Sequence, residues 1–506
     1  MSSASTLRTR FSSSSGLQFP PLLLAIALIA YGIFLSRYVN AYAGGSDSSG
    51  YLNHALILRS GHVQVAPRTI AGLPHDQVPP YLYCPLGFRP VLQGAALVPT
   101  YPTGLPLLLL AVAEFAGWSQ AGNITLVLHG VLGVLVTFAA ARTFGLTPRW
   151  SVVAATIVGC SPVYLSMTLQ TLSDVPALVW TTAAIVAAWR SQLWPRWAYG
   201  AGAAFAMAVL IRPTDLLALA PIAVALGFNW GNWLRFGLGG LPGAVFFFLH
   251  THAAYGKYFT TGYGDSADLD PSVVPVTLAH YARWLPLLFT PVVLGIFTLP
   301  KLGRINPRLA WLFATWTAVF AGFYVAYYHT HETWWYLRFL LPLAPGLVIG
   351  SLLSLRAILN YRLTTPLANL AFLCAIPLCI ANSVYWAKRL HVLEFALGER
   401  SYPVAAEWLH ENLPRDAVVA TMQGSGAFAF YTDLTIVRWD QIEPAEFQRV
   451  AAAVSASGRP LYAALFPFEV EDQKAFERHL PGRWTKVATV RDVGVWKWEA
   501  PALTAP

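Results

Sequence analysis

Tyr42-Ala-Gly-Gly-Ser-Asp47-Ser-Ser-Gly-Tyr51-Leu-Asn-His54-Ala-Leu-Ile-Leu is the stretch around which this chain is organised. It directly follows the first long apolar segment, so Asp47 is expected to emerge at a membrane surface, at the start of an amphipathic helix that lies along that surface. A carboxylate in this place is a candidate catalytic base. It also suits the N-cap of a helix that begins near Ser48, and the two roles are compatible.

The composition excludes a soluble globular protein. Of the 506 residues, 56% are hydrophobic and only 11% are charged, which is typical of a polytopic membrane protein. The formal net charge of +9 does not indicate a nucleic-acid partner, because the Lys and Arg residues are spread between apolar runs, where they act as topology signals. No nucleic-acid-binding module is recognisable.

Eleven apolar runs have the length expected of membrane spans. They lie near residues 20–38, 123–143, 150–168, 173–190, 196–211, 214–229, 235–252, 284–300, 309–328, 337–355 and 364–386. A further run, residues 102–117, is short and contains two prolines and a glutamate. If this run is a juxtamembrane helix, every predicted cytoplasmic loop is basic, as cytoplasmic loops normally are. If it spans the membrane, the later loops change sides and the basic ones lie outside.

The charge pattern therefore predicts an α-helical polytopic membrane protein with about eleven transmembrane helices. Its cytoplasmic N-terminal tail covers residues 1–19, and its transmembrane domain covers residues 20–387 with a first outer loop at 39–122. Residues 388–506 have more charges and are predicted to form a small α/β domain outside the membrane. Its predicted helices cover 403–412, 444–457 and 471–480, and its strands cover 417–421, 435–439, 460–466 and the surroundings of Val487 and Val495.

Several side chains at the outer face suit sugar transfer from a lipid phosphate. Asp47 can accept the proton of an attacking hydroxyl. Arg212 and Arg338, at the outer ends of spans, can bind a departing phosphate, and Tyr51 and Tyr101 can stack on a sugar ring. Each feature has an ordinary alternative, because arginines at helix ends extend to the headgroups and aromatic residues form interfacial belts.

A divalent metal is a possible cofactor. The run His329-Thr-His331-Glu332 contains ligand-type residues without a recognised zinc spacing. Carboxylates and imidazoles together can hold a divalent ion, and Asp47, Asp174 and Glu332 are the candidate ligands.

Five short motifs resemble those of a known superfamily. They are Ser46-Asp47 with Tyr51 and Ala55, Tyr101-Pro-Thr-Gly-Leu-Pro106, Leu172-Ser-Asp174-Val-Pro176, Arg212-Pro213, and Arg338-Phe-Leu-Leu-Pro342-Leu-Ala-Pro345-Gly. With them, residues 15–390 resemble the GT-C superfamily of polytopic glycosyltransferases. This superfamily includes the protein O-mannosyltransferases, the lipid A aminoarabinose transferases and the RgtA-like lipopolysaccharide glycosyltransferases.

The resemblance implies a polyprenyl-phosphate sugar donor, an acceptor hydroxyl, and inversion with Asp47 as general base and Asp174 as a second catalytic acidic residue. In the oligosaccharyltransferase branch two such carboxylates and a late glutamate bind a metal, and Glu332 lies in a corresponding connection. The juxtamembrane motif lacks the basic residue that some relatives use for phosphate. The candidate substrate-binding residues are Tyr51, His54, Tyr101, Arg212, Lys257, Glu332 and Arg338.

The sequence thus predicts a glycosyltransferase of the bacterial inner membrane that moves a hexosyl or pentosyl group at the outer face. The acceptor is an envelope glycan, lipid or protein. A multi-span transporter or lipid flippase is the alternative, and it requires ionisable groups or broken helices near the bilayer midplane. A non-catalytic scaffold is the third hypothesis, and it gives no reason for Asp47, Asp174 and Glu332 to converge.

Overall fold

The computed structural model describes residues 21–263, 269–359 and 365–500. The predicted cytoplasmic tail, residues 1–19, lies outside this part. Helices dominate up to residue 412, and a mixed sheet follows them. The chain therefore consists of a helical domain and a small C-terminal sheet domain.

Helix α1, Pro21–Tyr38, is apolar over almost its whole length. Among its residues only Leu35 is buried, while Leu22, Ile29 and Ile33 are each more than half exposed. Water would oppose such exposure of large aliphatic side chains, whereas lipid accommodates it. The helix therefore has the surface of a membrane span.

The first outer loop contains two helices and a short hairpin. Helix α2 is Ser46–Arg59 and helix α3 is Gly104–Ala116. Between them, strands β1, Phe88–Val91, and β2, Ala96–Pro99, pair in antiparallel register. The helix predicted within 102–117 is confirmed as Gly104–Ala116, and its juxtamembrane location stays a prediction.

The remaining helices of the helical domain pack around one apolar core. In chain order they are α4 Trp118–Thr143, α5 Pro148–Gly159, α6 Pro162–Thr168, α7 Asp174–Arg190, α8 Trp197–Ile211, α9 Leu219–Leu226, α10 Trp230–Tyr255, α11 Val274–Leu288, α12 Leu299–Ile305, α13 Pro307–Tyr324, α14 Ala344–Leu359 and α15 Thr365–Arg389. Helices α8 and α10 approach closely because Gly202 and Gly239 leave room for the facing backbone, where a Cβ would collide with the carbonyl groups of Phe236 and Tyr199.

Each of the eleven predicted spans falls on a helix or a bent pair of helices, but the number of crossings is not confirmed. In the described residues, three helices are long and apolar enough to cross a membrane, or up to five if each bent pair is one span. Helices such as α7 and α8 have only 17 and 15 residues. The apolar run of each extends beyond the helix into the neighbouring turns. Hydropathy alone therefore makes these helices look longer than they are.

Two of the predicted spans are not straight. The run 150–168 is divided into α5 and α6, which meet at an angle of 62°. The run 284–300 lies across the end of α11, where the chain bends by 119°. Thr290 has a positive φ of 66° there, and Pro291 follows it, so the helix cannot continue.

The C-terminal domain has a five-stranded sheet with the strand order β4-β3-β5-β7-β6 in our numbering. Its strands are β3 Val418–Ala420, β4 Thr435–Val437, β5 Leu461–Leu465, β6 Arg483–Val490 and β7 Val493–Glu499. Its helices are α16 Phe395–Gly398, α17 Ser401–Asn412, α18 Ser425–Tyr431, α19 Pro444–Ala456, α20 Pro467–Glu471 and α21 Ala475–Arg478. The predicted strands and the helices near 403–412 and 444–457 are confirmed, the run 471–480 holds only the short α21, and α18 was not predicted.

Helix α18 packs against α2 and covers it. Ser425 accepts a hydrogen bond from the backbone of Leu86 at 2.9 Å, and Asn53 donates one to the carbonyl of Gly426 at 3.0 Å. Nearly all of α2 from Ser48 to Ile57 is consequently buried. The prediction that α2 is an amphipathic helix lying on the membrane surface is therefore wrong, because the C-terminal domain covers the side that was expected to face water.

Candidate active site

Asp47 is the second residue of α2 and does not cap it. The N-cap is Gly45, with no side-chain capping bond. The Asp47 carboxylate instead accepts a hydrogen bond from the Tyr101 hydroxyl at 2.6 Å and one from Arg338 Nη1 at 2.9 Å. The capping role expected for Asp47 is wrong, and both carboxylate oxygens are held by side chains that lie far away in the sequence.

The electrostatic surroundings keep Asp47 ionised. Burial acts to raise the pKa of its carboxyl, but the Arg338 guanidinium and the Tyr101 hydrogen bond lower it, and the net direction is downward. About a third of the side chain is still exposed, 32%. The result is a charged carboxylate that a substrate can reach.

Tyr101 is fixed on both its side chain and its backbone. Its hydroxyl lies 2.9 Å from Ser46 Oγ, and its ring packs against that of Tyr51 with centroids 5.0 Å apart. Its carbonyl lies 3.0 Å from Nδ1 of His54. Burial, together with the nearby His250, lowers the pKa of His54 to about 3, so its neutral ring donates to that carbonyl across the physiological range.

Asp174 and Arg212 form the second ion pair. Asp174 opens α7, as the sequence predicted, and Arg212 ends α8. Arg212 Nη1 donates to Asp174 Oδ1 at 2.5 Å, and the side chains are only 12% and 4% exposed. A buried, charge-assisted hydrogen bond therefore holds Asp174 and Arg212 together, and Arg212 also interacts electrostatically with the buried Asp215.

The two ion pairs meet at Phe339. The Arg212 and Arg338 guanidinium carbons lie 5.3 Å and 5.2 Å from the centre of its ring. Each arginine also interacts electrostatically with the aspartate of the other pair. The structure therefore brings together two carboxylates and two guanidinium groups around one aromatic side chain.

Two predicted site residues lie further from the ion pairs, although Glu332 hydrogen-bonds Tyr336, whose ring lies under Arg338. Lys257 is exposed in the loop that follows α10. Glu332 is about one-third exposed and accepts a hydrogen bond from Nδ1 of His329 at 2.7 Å. His54 joins the site only through the Tyr101 backbone. The sequence predicted all three at the outer face and did not show which of them reach Asp47.

The residues present do not fit a shared divalent ion. The carboxylates of Asp47 and Asp174 are each paired with an arginine, and Glu332 faces His329. Among the described residues, no group of three or more His, Cys, Asp or Glu side chains could hold a metal ion. The two guanidinium groups provide the positive charge that balances the two carboxylates, a role that a metal ion would otherwise fill.

Sequence reasoning missed several members of the site. Ser173 accepts a hydrogen bond from the Tyr51 hydroxyl at 2.8 Å, and Tyr263 lies edge-on to Tyr101 with centroids 5.9 Å apart. Glu399, from the C-terminal domain, accepts a hydrogen bond from the backbone of Gly45 at 3.3 Å. Ser173 stands beside Asp174 and could have been noticed, but nothing in the local sequence marks Tyr263 or Glu399.

No protein-family model matches the chain, and neither does any curated protein. Several solved structures are similar to it. The ArnT crystal structure from Cupriavidus metallidurans in the apo state superposes with a TM-score of 0.59 at 14% identity and covers 94% of this chain and 97% of that one. The ArnT structure bound to undecaprenyl phosphate gives 0.55 at 12% identity, with 96% and 99% covered.

The apo oligosaccharyltransferase of Archaeoglobus fulgidus gives a TM-score of 0.50 at 11% identity and covers 98% of this chain and 76% of that one. The chain has the fold of the GT-C glycosyltransferases. At these identities the likeness concerns the fold, and the GT-C fold extends over nearly the whole chain, including the C-terminal domain. The resemblance that the short motifs indicated is therefore confirmed at the level of the fold.

Proposed function

We propose that the chain transfers one sugar from a polyprenyl-phosphate-linked donor to an acceptor hydroxyl at the outer face of the membrane. The observation that carries the proposal is the Asp47 carboxylate held between Tyr101 and Arg338, directly beside the Asp174–Arg212 pair. An ionised base and two guanidinium groups in one place match the needs of glycosyl transfer from a phosphate. The GT-C fold supports the same function.

In the proposed reaction, the acceptor hydroxyl gives its proton to Asp47, at a lone pair of the carboxylate that neither Tyr101 nor Arg338 uses. The acceptor oxygen attacks the anomeric carbon from the side opposite the phosphate, so the configuration is inverted. The bond between the anomeric carbon and the phosphate oxygen breaks, and its electron pair remains on the polyprenyl phosphate. Asp174 orients Arg212, and both arginines stabilise the charge of that leaving group.

Arg338 can bind Asp47 and a phosphate at the same time. Its bond to Asp47 uses Nη1, whereas a guanidinium carries five N–H groups in a planar fork. Stacking on Phe339 and Tyr336 holds the plane of this guanidinium. The donor phosphate therefore completes the network without breaking the contact that keeps the base ionised.

We also propose that the protein lies in the bacterial inner membrane with eleven spans, its N-terminus in the cytoplasm and its C-terminal domain outside. The lipid-facing surface of α1 and the exposed leucines of α10 and α15 support a membrane location. The basic loops support the orientation. Asp47 and Asp174 then lie on the same, outer side.

A transporter or flippase is supported less well. That alternative needs ionisable groups or broken helices near the bilayer midplane, and two of the proposed spans are bent, by 62° and 119°. The two ion pairs, however, lie at the starts of α2 and α7, at the end of α8 and in the 3-10 helix Trp334–Leu343 that leads into α14. Their positions at helix ends favour a reaction at the membrane surface.

The test uses the full chain in lipid nanodiscs with undecaprenyl-phosphate-linked sugars and a cell-envelope fraction as acceptor, and follows transfer of labelled sugar. Asp47→Asn should lower kcat by about 10²- to 10⁴-fold, the usual effect of a positioned base. Glu394→Gln is the matched control, because Glu394 is an exposed carboxylate that pairs with the histidine three residues before it, and it should stay near wild type. Asp47→Asn protein that folds and transfers sugar at the wild-type rate would contradict the assignment of the base.

A further inference from the structure

A cavity of about 520 Å³ opens beside Asp47 on the side of the C-terminal domain. The first outer loop, the segment after α10 and the C-terminal domain each contribute to its walls. The residues on which its chemistry depends are Ser46, Tyr81, Arg89, Tyr263, Arg438 and Gln441. Its volume falls in the range of small-molecule binding sites.

Two hydrogen bonds connect the wall of the cavity with the Asp47 carboxylate. Ser46 lines it, and Ser46 Oγ lies 2.9 Å from the Tyr101 hydroxyl. That hydroxyl donates to Asp47 Oδ1 at 2.6 Å. Arg338 binds the other carboxylate oxygen, Oδ2, so the cavity is connected to Asp47 through the oxygen that Arg338 does not bind.

The walls of the cavity combine open aromatic rings with polar groups. Tyr81 is 42% exposed and Tyr263 is 55% exposed, so both rings offer free faces. The Gln441 amide stands beside them, with Nε2 donating to Asp440 at 2.9 Å and its carbonyl oxygen available to accept. Amphipathic rings and amide groups suit the apolar faces and hydroxyl groups of a sugar better than a lipid chain.

The charge of the cavity rests on Arg89. Arg438 also lines it, but its guanidinium binds both oxygens of Asp440, at 2.6 Å and 2.5 Å, and is neutralised. Arg89 makes a hydrogen bond to the Thr261 carbonyl at 3.5 Å. Within the described parts of the chain it forms no ion pair with a carboxylate. A half-buried guanidinium on a cavity wall attracts an anionic group of a ligand.

We propose that this cavity binds the acceptor and selects a saccharide that carries a negative charge, with Arg89 as the specificity-determining residue. Tyr81 and Tyr263 pack against the sugar, and Arg89 binds a phosphate or carboxylate on it. The inference rests on the proposed function and names the class of its acceptor. It also gives the C-terminal domain a role, because Gln441 and Arg438 close the cavity.

The test uses the full chain in detergent with saturating undecaprenyl phosphate and measures the binding of three sugars by saturation-transfer NMR. Glucose 6-phosphate and glucuronic acid are the anionic probes, and glucose is the neutral one. We expect the wild-type protein to bind at least one anionic probe about tenfold or more tightly than glucose. Arg89→Gln should remove this preference, and its melting temperature should stay close to that of the wild type.

Arg68→Gln is the matched control, because Arg68 lies in the same outer loop but pairs with Asp433 outside the cavity. It should keep the preference for the anionic probe. The proposal is overturned if Arg89→Gln retains the preference, if the wild-type protein binds glucose equally well, or if none of the three sugars binds. If the wild-type protein does not bind undecaprenyl phosphate, the proposed function itself is overturned. This outcome is distinct from a failure of the acceptor proposal.

Discussion

The Tyr51 hydroxyl donates a hydrogen bond to Ser173 Oγ at 2.8 Å, across 122 residues of sequence. Tyr51 lies one helical turn after Asp47 in α2, and Ser173 immediately precedes Asp174 at the start of α7. Both side chains are buried. This single bond therefore fixes the distance between the two acidic residues of the candidate site.

Tyr51→Phe should remove this bond and keep the ring that packs on Tyr101. The loss of one buried hydrogen bond corresponds to about 1 kcal/mol, so we expect kcat/KM for sugar transfer to fall by about fivefold. Tyr385→Phe, in the exposed part of α15, is the control and should have no effect. Equal activity of the two variants would show that α2 and α7 are positioned by packing alone.

Arg338→Gln should change the pH dependence of the reaction as well as its rate. Arg338 lowers the pKa of Asp47, so its removal should raise that pKa and move the acid limb of the kcat/KM profile to higher pH. Binding of undecaprenyl phosphate should weaken at the same time, because a charge-assisted hydrogen bond is lost. Arg68→Gln, which removes an exposed arginine elsewhere, should leave the profile in place. An unshifted acid limb would contradict the pairing.

Glu399 should make the stability of the protein depend on pH. Burial raises the pKa of its carboxyl, and the hydrogen bonds from Gly45 and Ser48 only partly oppose this. A carboxyl whose pKa is raised by folding stabilises the folded state fully below its ordinary pKa, and this stabilisation is lost as the pH rises through the folded value. Glu399→Gln keeps an acceptor for Gly45 and does not titrate.

The melting temperature of Glu399→Gln relative to wild type should therefore increase from pH 4 to pH 8, as followed by scanning fluorimetry. Glu411→Gln removes one exposed carboxylate at the end of α17 and is the control for surface charge. A difference between Glu399→Gln and wild type that stays constant with pH would contradict the raised pKa.

The sequence predicted the helices better than it predicted the partners of the acidic residues. Local apolar runs determine where helices form, so 102–117 and the C-terminal strands were found. The bond between Asp47 and Arg338 joins residues 291 positions apart and depends on how the helices pack. No local pattern contains that information, which is why Asp47 looked equally suited to a helix cap.

The number of membrane spans shows the same limit. Hydropathy finds apolar segments but does not detect a bend inside one, such as the 119° change of direction after α11. Pro291 marks a possible break, but the positive φ of Thr290 is not expected from sequence, because threonine rarely adopts such a conformation. The contact between α18 and α2 was not predicted either, because Gly424 and Gly426 resemble an ordinary turn in sequence.

Gly426 tests whether docking of the C-terminal domain positions the catalytic helix. A Cβ at Gly426 would collide with the Ser49 hydroxyl and the Leu86 carbonyl, both in the first outer loop. Gly426→Ala should therefore push α18 away from α2, with a cost of about 1–3 kcal/mol in stability, and should lower sugar transfer. Gly398→Ala is the matched control, because a Cβ there meets nothing within 4 Å. Limited proteolysis should release the C-terminal domain faster from Gly426→Ala than from Gly398→Ala, and equal rates of release with equal activity would show that the domain does not support the site.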